Sequence, residues 1–142
     1  MSNILKISEA ASLALHTAVI LATDPDNLLS NKELASILHA SEAHLSKVLQ
    51  RLDKSGIVKS TRGPKGGFKL TKSGNDITLL EVYEAIDGKL SPSNCLLNEC
   101  ICNGDCIMGK LLGDLNKQVR DYLATTKLIT LISAYRSMFA NA

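Results

Sequence analysis

Residues 41–70 read SEAHLSKVLQRLDKSGIVKSTRGPKGGFKL, and this stretch decides the fold. Ser41 suits the N-cap of a helix, and apolar residues then recur at helical spacing until Ser55-Gly56 ends the helix. Those apolar positions are Leu45, Val48, Leu49 and Leu52. Two β-like runs follow, 57–61 and 68–71, joined by a turn rich in glycine and proline. The stretch therefore predicts a helix followed by a β-hairpin.

A shorter helix is predicted immediately before this stretch. Ser30 and Glu33 have the spacing of a capping box, which opens a helix through about Leu38. His39-Ala40 then forms the turn to the next helix. Two short helices separated by a tight turn are typical of a helix-turn-helix motif. With the hairpin behind it, the motif becomes a winged helix.

Helices are also predicted on both sides of this unit. Residues 8–23 are apolar on most faces, as in a helix buried in a core or an interface. Thr78 and Glu81 form a second capping box, and Gly88 ends the helix that they open. After Cys106 an apolar stripe continues at helical spacing, and either a second subunit or the first helix would bury it. The stripe comprises Ile107, Leu111, Leu112, Leu115, Val119, Tyr122 and Leu123.

These patterns predict a mostly α fold with a small β-hairpin, a winged helix-turn-helix plus a long C-terminal helix that is a candidate dimerisation helix. Three segments follow along the chain. Residues 1–90 would form a DNA-binding domain, and residues 91–106 a cysteine-rich loop that is a candidate metal site. Residues 107–142 would form the dimerisation helix and a C-terminal tail.

Positive charge supports the DNA-binding prediction because it is concentrated in one region. Residues 44–72 carry eight basic side chains and one acid, a net charge of +7, whereas the whole chain carries only +2. Such asymmetry marks a surface for an anionic partner. The candidate DNA contacts are Ser41, His44, Lys47 and Arg51 on the second helix and Arg62, Gly63, Pro64, Lys65 and Gly66 on the hairpin tip.

These candidates have different expected roles. Arg62 and Lys65 would enter the minor groove or contact phosphates, and the neighbouring glycines would let the backbone approach closely. Lys47 and Arg51 would contribute phosphate affinity and salt dependence. His44 either touches DNA or covers the adjacent helix.

All four cysteines lie within residues 95–106, CLLNECICNGDC. Because 45% of the residues are hydrophobic, the chain can bury a core without structural disulfides. The N-terminus lacks the pattern of a secretory signal, and the apolar stretch 10–22 is shorter than the roughly 20 residues of a membrane span. We therefore expect a cytoplasmic protein without membrane association. In that reducing compartment, clustered cysteines are typical of metal ligands or redox sensors.

Several chemistries fit such a cluster of thiols. Iron–sulfur centres favour soft thiolates gathered from a flexible loop. Four thiolates also suffice for tetrahedral zinc, although one residue between Cys100 and Cys102 is unlike the usual spacing. In a thiol–disulfide sensor these two are too close to bridge, so Cys95 or Cys106 would pair with one of them. No nucleophile–base pair or pair of carboxylates indicates an enzyme.

The chain resembles the Rrf2 (Rrf-two) family of bacterial winged-helix regulators, which includes the IscR-like and NsrR-like proteins. Residues 58–70 are similar to the wing of that family, and residues 77–88 to the helix that follows it. The cysteines and the C-terminal helix come next, in the family's order. The resemblance implies a homodimer that binds double-stranded DNA at a pseudo-palindromic operator. Its recognition helices would reach major grooves roughly 34 Å apart.

The resemblance also implies an iron–sulfur cluster, 2Fe-2S in preference to 4Fe-4S, held by three cysteines. Cys95, Cys100 and Cys106 best fit the family's spacing. Cys102 would replace Cys100, complete an all-cysteine site or stay outside it. His16 matches a fourth ligand that some relatives take from the partner's first helix, the alternative being a hydrogen-bonded histidine of the core or interface. Gly109 stands where IscR-like proteins place a histidine ligand, which argues against that ligand set.

The implied function is a DNA-binding transcriptional regulator, expected to be a repressor. Its operator affinity would be switched by a cluster that senses redox state, nitric oxide or iron status. The alternative is a winged-helix regulator that carries a thiol–disulfide or zinc site in place of the cluster.

Overall fold

The computed structural model describes residues 5–139, and these are mostly helical. The helices are α1 (Glu9–Thr23), α2 (Asn31–Leu38), α3 (Glu42–Lys54), α4 (Leu79–Asp87), α5 (Leu111–Thr125) and α6 (Arg136–Phe139). Strands β1 (Val58–Thr61) and β2 (Gly67–Leu70) form an antiparallel hairpin between α3 and α4, and a 3-10 helix (Leu128–Ala134) follows α5. The predicted fold class is confirmed. Within residues 5–139, no helix combines the length and hydropathy needed to cross a bilayer.

Three helix starts occur where capping residues in the sequence predicted them. Four helices begin at a hydroxyl side chain that accepts a hydrogen bond from the backbone N–H three residues ahead, which satisfies one unpaired donor of the first turn. His39 ends α2 in the left-handed conformation, with φ 53°. The caps are Ser8, Ser30, Ser41 and Thr78.

One hydrophobic core joins the elements, with α1 at its centre. Helix α1 packs against α3, α4 and the 3-10 helix, and its fully buried Ala14 and Ala18 allow close approach. From the C-terminal part, Leu123 and Leu128 enter the same core. The segment boundaries at residues 90 and 106 stay predictions. Residues 1–4 and 140–142 of those segments lie outside the described residues.

The apolar stripe after Cys106 is divided between the core and the surface. Leu123 is buried and Val119 packs against the core, whereas Leu111 and Leu115 are exposed. The placement of Ile107 in the stripe was wrong, because α5 begins four residues later and Ile107 is 82% exposed. Burial on the chain's own core therefore accounts for part of the stripe, and the rest faces outward.

A contact from outside the hairpin holds β2. Leu29 lies just before α2, and its backbone exchanges two hydrogen bonds with Phe68, of 2.8 and 3.2 Å. This bridge covers the edge of β2 that β1 leaves open. It fixes the wing against the helix-turn-helix.

We expect Gly67→Ala to destabilise the fold by about 3 kcal/mol, the upper end of overpacking costs. Gly67 is buried, and a Cβ added there would lie 2.7 Å from the carbonyl carbon and oxygen of Leu29. Because both clashing atoms belong to the backbone, relief requires breaking the Leu29–Phe68 bridge. Urea unfolding measures the effect, and Ser60→Ala on the exposed face of β1 is the control. Equal stabilities of the two variants would contradict the prediction.

Candidate nucleic-acid interface and cysteine site

Helix α3 presents a polar face beside the N-terminus of α1. The Ser41 hydroxyl is engaged as its N-cap, and Lys47 is exposed. His44 is half-buried, with Nδ1 3.9 Å from a carboxylate oxygen of Glu9. An open groove of about 440 Å³ runs along this face, lined largely by basic residues and suited to an anion. Its lining comprises Ala10, His44, Lys47, Val48, Gln50, Arg51 and Lys54.

Arg51 has a structural partner that the sequence pattern did not indicate. Its Nη1 donates a hydrogen bond of 3.1 Å to the backbone oxygen of Ile86, at the C-terminal end of α4. An arginine there interacts favourably with the partial negative charge of the helix terminus. Arg51 therefore links α3 to α4, and its contact with a phosphate stays a prediction.

The hairpin tip is exposed, as a DNA-contacting wing requires. Arg62, Gly63, Pro64 and Lys65 are all exposed, whereas Gly66 is half-buried. Gly63 has φ 115°, which favours glycine, and its carbonyl accepts a 2.9 Å hydrogen bond from the Gly66 amide. The tip thus has a defined turn that carries two cations.

The cysteine loop contains neither helix nor strand between Gly88 and Leu111. Cys95 and Cys106 are half-buried, Cys100 and Cys102 are exposed, and all four thiols are free. Ser93 orders the start of the loop, because its Oγ accepts from the Cys95 amide at 3.1 Å and donates to the Cys95 carbonyl at 3.2 Å.

The thiols influence one another electrostatically. A hydrogen bond from Cys100, and a second from the Leu97 backbone amide, lower the pKa of Cys95. The same bond to Cys95, together with the Cys95 charge, raises the pKa of Cys100, and the charges of Cys102 and Cys106 add to it. The other three thiols therefore all influence the pKa of Cys100.

The donor chemistry of the loop fits an iron–sulfur cluster, which takes soft thiolates from a flexible segment. Among residues 5–139, no three histidine, cysteine or acidic side chains are already gathered closely enough to hold a metal ion. Cys100 has the largest influence on the pKa of Cys95, so these two thiols lie near each other, and binding a cluster would require the rest of the loop to close around them.

We expect iodoacetamide to alkylate Cys95 faster than Cys100 in the cluster-free protein, and to do so at lower pH. A lowered pKa leaves more thiolate at any pH below the ordinary cysteine value, and the thiolate is the nucleophile. In Cys100→Ala, which removes the hydrogen-bond donor, the pH profile of Cys95 should move upward. Mass spectrometry of timed digests measures both rates. Equal profiles for the two thiols would contradict the assigned direction.

His16 is exposed on α1, and the structure gives it a neighbour within the same chain. Its Nδ1 is hydrogen-bonded to the hydroxyl of Tyr135, and the two rings meet edge to face at 6.0 Å between centroids. Burial raises the pKa of the Tyr135 hydroxyl. This is the geometry expected of a hydrogen-bonded histidine. A ligand role for His16 stays a prediction.

The sequence pattern did not reveal the residues that hold the linker between α4 and the cysteines. Glu84 and Arg120 bind the two polar groups of Leu90, and Asn116 binds the Ser93 carbonyl. The sequence did contain one sign of this role: Asn116 and Arg120 are four residues apart and so lie on one face of a helix. The sequence does not show that the linker lies against this helix, so the spacing alone indicates only that the helix has a polar face.

Comparison with known proteins places the chain in a family. A profile of the Rrf2 family, described as an iron-dependent transcriptional regulator, matches residues 7–134. The HTH-type transcriptional regulator NsrR of Halalkalibacterium halodurans is 30% identical over 131 residues, 89% of this chain and 88% of that protein. The regulator IscR of Pectobacterium carotovorum is 35% identical over 94 residues, but these cover 66% of this chain and 57% of that protein.

Comparison with solved structures also finds a regulator that covers nearly the whole chain. CymR, the global cysteine regulator of B. subtilis, superimposes with a TM-score of 0.79 at 27% identity, covering 92% of this chain and 98% of CymR. Similarity therefore extends through the winged helix, the cysteine loop and α5. The chain belongs to the Rrf2 family and is a transcriptional regulator.

Proposed function

We propose that this chain is a cytoplasmic, homodimeric transcriptional repressor whose affinity for DNA is switched by an iron–sulfur cluster in the cysteine loop. The observation that carries the proposal is the presence of four free thiols in one loop without regular structure, which a short linker joins to the DNA-binding unit. The family's description as iron-dependent supports the choice of iron. A 2Fe-2S cluster is proposed in preference to 4Fe-4S.

Cys95, Cys100 and Cys106 are the proposed ligands, with His16 of the partner subunit as the candidate for the fourth position. When bound, the cluster would supply a centre that responds to oxidants, nitric oxide or iron supply. The protein's own part is conformational. Gathering thiolates from a loop without regular structure would displace both ends of the loop. The N-terminal end, at Leu90 and Ser93, is hydrogen-bonded to α4 and α5.

DNA binding is assigned to α3 and the wing of each subunit. Lys47 and its basic neighbours would lie along the major groove, with Arg62 and Lys65 against phosphates or in the minor groove. The outward part of the α5 stripe, with Leu111, Leu115 and Tyr122 exposed, is the proposed contact with a second copy. We call α3 and the wing of one subunit a DNA-reading head. Changing the separation of the two heads of a dimer would change operator affinity.

One observation favours a second candidate, a thiol–disulfide sensor. Cys100 lowers the pKa of Cys95 and has a raised pKa itself, so the Cys95 thiolate would react first with an oxidant such as peroxide, and the Cys100 thiol would then displace water to form the disulfide. The similarity to CymR, a cysteine regulator, is compatible with it. Zinc bound by the same thiolates is the remaining alternative.

The test uses protein purified without oxygen and reconstituted with ferrous iron and sulfide. We expect visible iron–sulfur absorption, stoichiometric iron and sulfide, and an affinity for DNA selected from a random pool that differs about tenfold or more between loaded and cluster-free protein. Absence of absorption after reconstitution would overturn the cluster. Metal analysis would then reveal zinc, and peptide mapping after peroxide treatment would reveal a Cys95–Cys100 disulfide.

A further inference from the structure

Two charged side chains grip the backbone of a single residue in the linker. A carboxylate oxygen of Glu84, on α4, accepts a 2.7 Å hydrogen bond from the Leu90 amide. Nη2 of Arg120, on α5, donates a 2.9 Å hydrogen bond to the Leu90 carbonyl. Both bonds involve an ionised group and are partly buried, which makes them stronger than neutral ones. The Leu90 side chain packs against the core between them.

The same face of α5 holds the linker up to the first cysteine. Nδ2 of Asn116 donates to the Ser93 carbonyl at 2.8 Å and to Oδ1 of Asn94 at 3.0 Å. Ser93 in turn is hydrogen-bonded to both backbone groups of Cys95. Residues 93–95 are therefore held by hydrogen bonds, and a displacement of Cys95 would pull on the short segment that leads back to Leu90.

At its C-terminal end, α4 is tied to the recognition helix. The Ile86 carbonyl accepts the hydrogen bond from Arg51 of α3, and the Asp87 carboxylate accepts hydrogen bonds from the Ser8 hydroxyl, of 2.8 and 2.9 Å. Ser8 is the N-cap of α1, next to Glu9, which faces His44. The C-terminal end of α4 thus touches both helices that border the groove beside α3.

We propose that Glu84 and Arg120 are positioning residues that clamp the Leu90 backbone and transmit movement of Cys95 to the recognition helix through the end of α4. The proposal rests on the switch described under the proposed function and identifies its mechanical link. Without the clamp, the linker would absorb the movement of the cysteine loop. The two DNA-reading heads would then no longer respond to the cluster.

The experiment compares wild type, Glu84→Ala and Arg120→Ala in the metal-free state and after reconstitution with ferrous iron and sulfide. The measured quantity is the ratio of DNA dissociation constants of the two states, which we expect to be about tenfold or more in wild type. In both variants the ratio should fall to within about threefold of unity. Their cluster absorption should match that of wild type, because no proposed ligand has changed.

A second readout does not depend on the cluster. In metal-free protein, hydrogen exchange at the Leu90 amide should accelerate in Glu84→Ala, which removes its acceptor. Glu84→Gln keeps an acceptor oxygen and should retain most of the protection and most of the ratio, and Arg120→Lys should restore part of the ratio. Lys117→Ala on α5 is the matched control, since Lys117 pairs with Asp121 instead of the linker.

Each outcome decides between the clamp and its alternatives. A wild-type ratio retained in Glu84→Ala and Arg120→Ala would overturn the clamp and leave the switch standing. Equal weakening of both states, with the ratio unchanged, would mean a merely structural role and would also overturn it. A ratio of one in wild type would overturn the switch and the clamp together. Should either alanine variant fail to fold, Asn116→Ala, which releases the Ser93 end of the linker, replaces it with the same expectation.

Discussion

Replacing Arg62 and Lys65 together with alanine is expected to weaken DNA binding by at least about a hundredfold near 0.1 M salt. Both side chains are exposed at the wing tip, so their removal leaves the fold unchanged. Each cation that neutralises a phosphate releases counterions, and in a dimer the substitutions remove both cations from both wings. The effect is therefore expected to exceed that of removing a single hydrogen bond to a base.

Fluorescence anisotropy at several salt concentrations tests the wing prediction. The slope of log K against log salt should become shallower by about 0.9 for each phosphate that is no longer neutralised. The matched control is Lys117→Ala with Lys127→Ala, which removes two cations outside residues 44–72 and should stay within about threefold of wild type. An unchanged slope in the wing variant would show that the wing does not contact phosphates.

Serine at Cys95, Cys100 or Cys106 is expected to reduce the iron retained after reconstitution to about a tenth of the wild-type content or less. The reason is chemical, since a serine hydroxyl stays protonated where a thiol ionises and is a hard ligand where iron–sulfur chemistry needs a soft one. Cys102→Ser should keep most of the iron, because Cys102 lies outside the proposed ligand set. Iron and sulfide analysis with visible absorption measures the retention.

Two further variants test whether iron retention depends on the proposed cysteine ligands and not on other residues of the loop. Glu99→Gln, in the same exposed loop, should retain the wild-type iron content because it removes a charge and no thiol. Iron lost in Cys102→Ser and kept in Cys100→Ser would instead place Cys102 in the site. Thermal unfolding of the metal-free variants should be unchanged, since the cysteines make no contribution to the buried core.

Local sequence was enough for the elements of the winged helix. Ser30, Ser41 and Thr78 predict where helices begin. The prediction is possible because a capping side chain bonds to an amide only three residues ahead. The hairpin is equally local, since its strands are joined by the short turn 62–66. That four thiols share one short segment is visible in the sequence alone, because all four cysteines lie within residues 95–106.

The helix after the cysteines shows where periodicity stops being sufficient. An apolar spacing continues from Ile107, but the chain there forms turns, and α5 begins only at Leu111. Periodicity also could not separate Leu123, which the core buries, from Leu115, which stays exposed. Which apolar residues a helix buries depends on what lies opposite, and that is not a local property.

By itself, then, the sequence determined the helices and the hairpin of the winged unit, the basic region and the presence of four thiols in one short segment. Only the tertiary structure decided that Arg51 is tied to Ile86, that Leu29 covers the wing, and that Glu84 and Arg120 meet at one linker residue. The physical reason is separation along the chain. Arg51 and Ile86 lie 35 residues apart, and Arg120 and Leu90 lie 30 apart. Such pairs form only when the packing of α1 against α3, α4 and the 3-10 helix has brought their elements together.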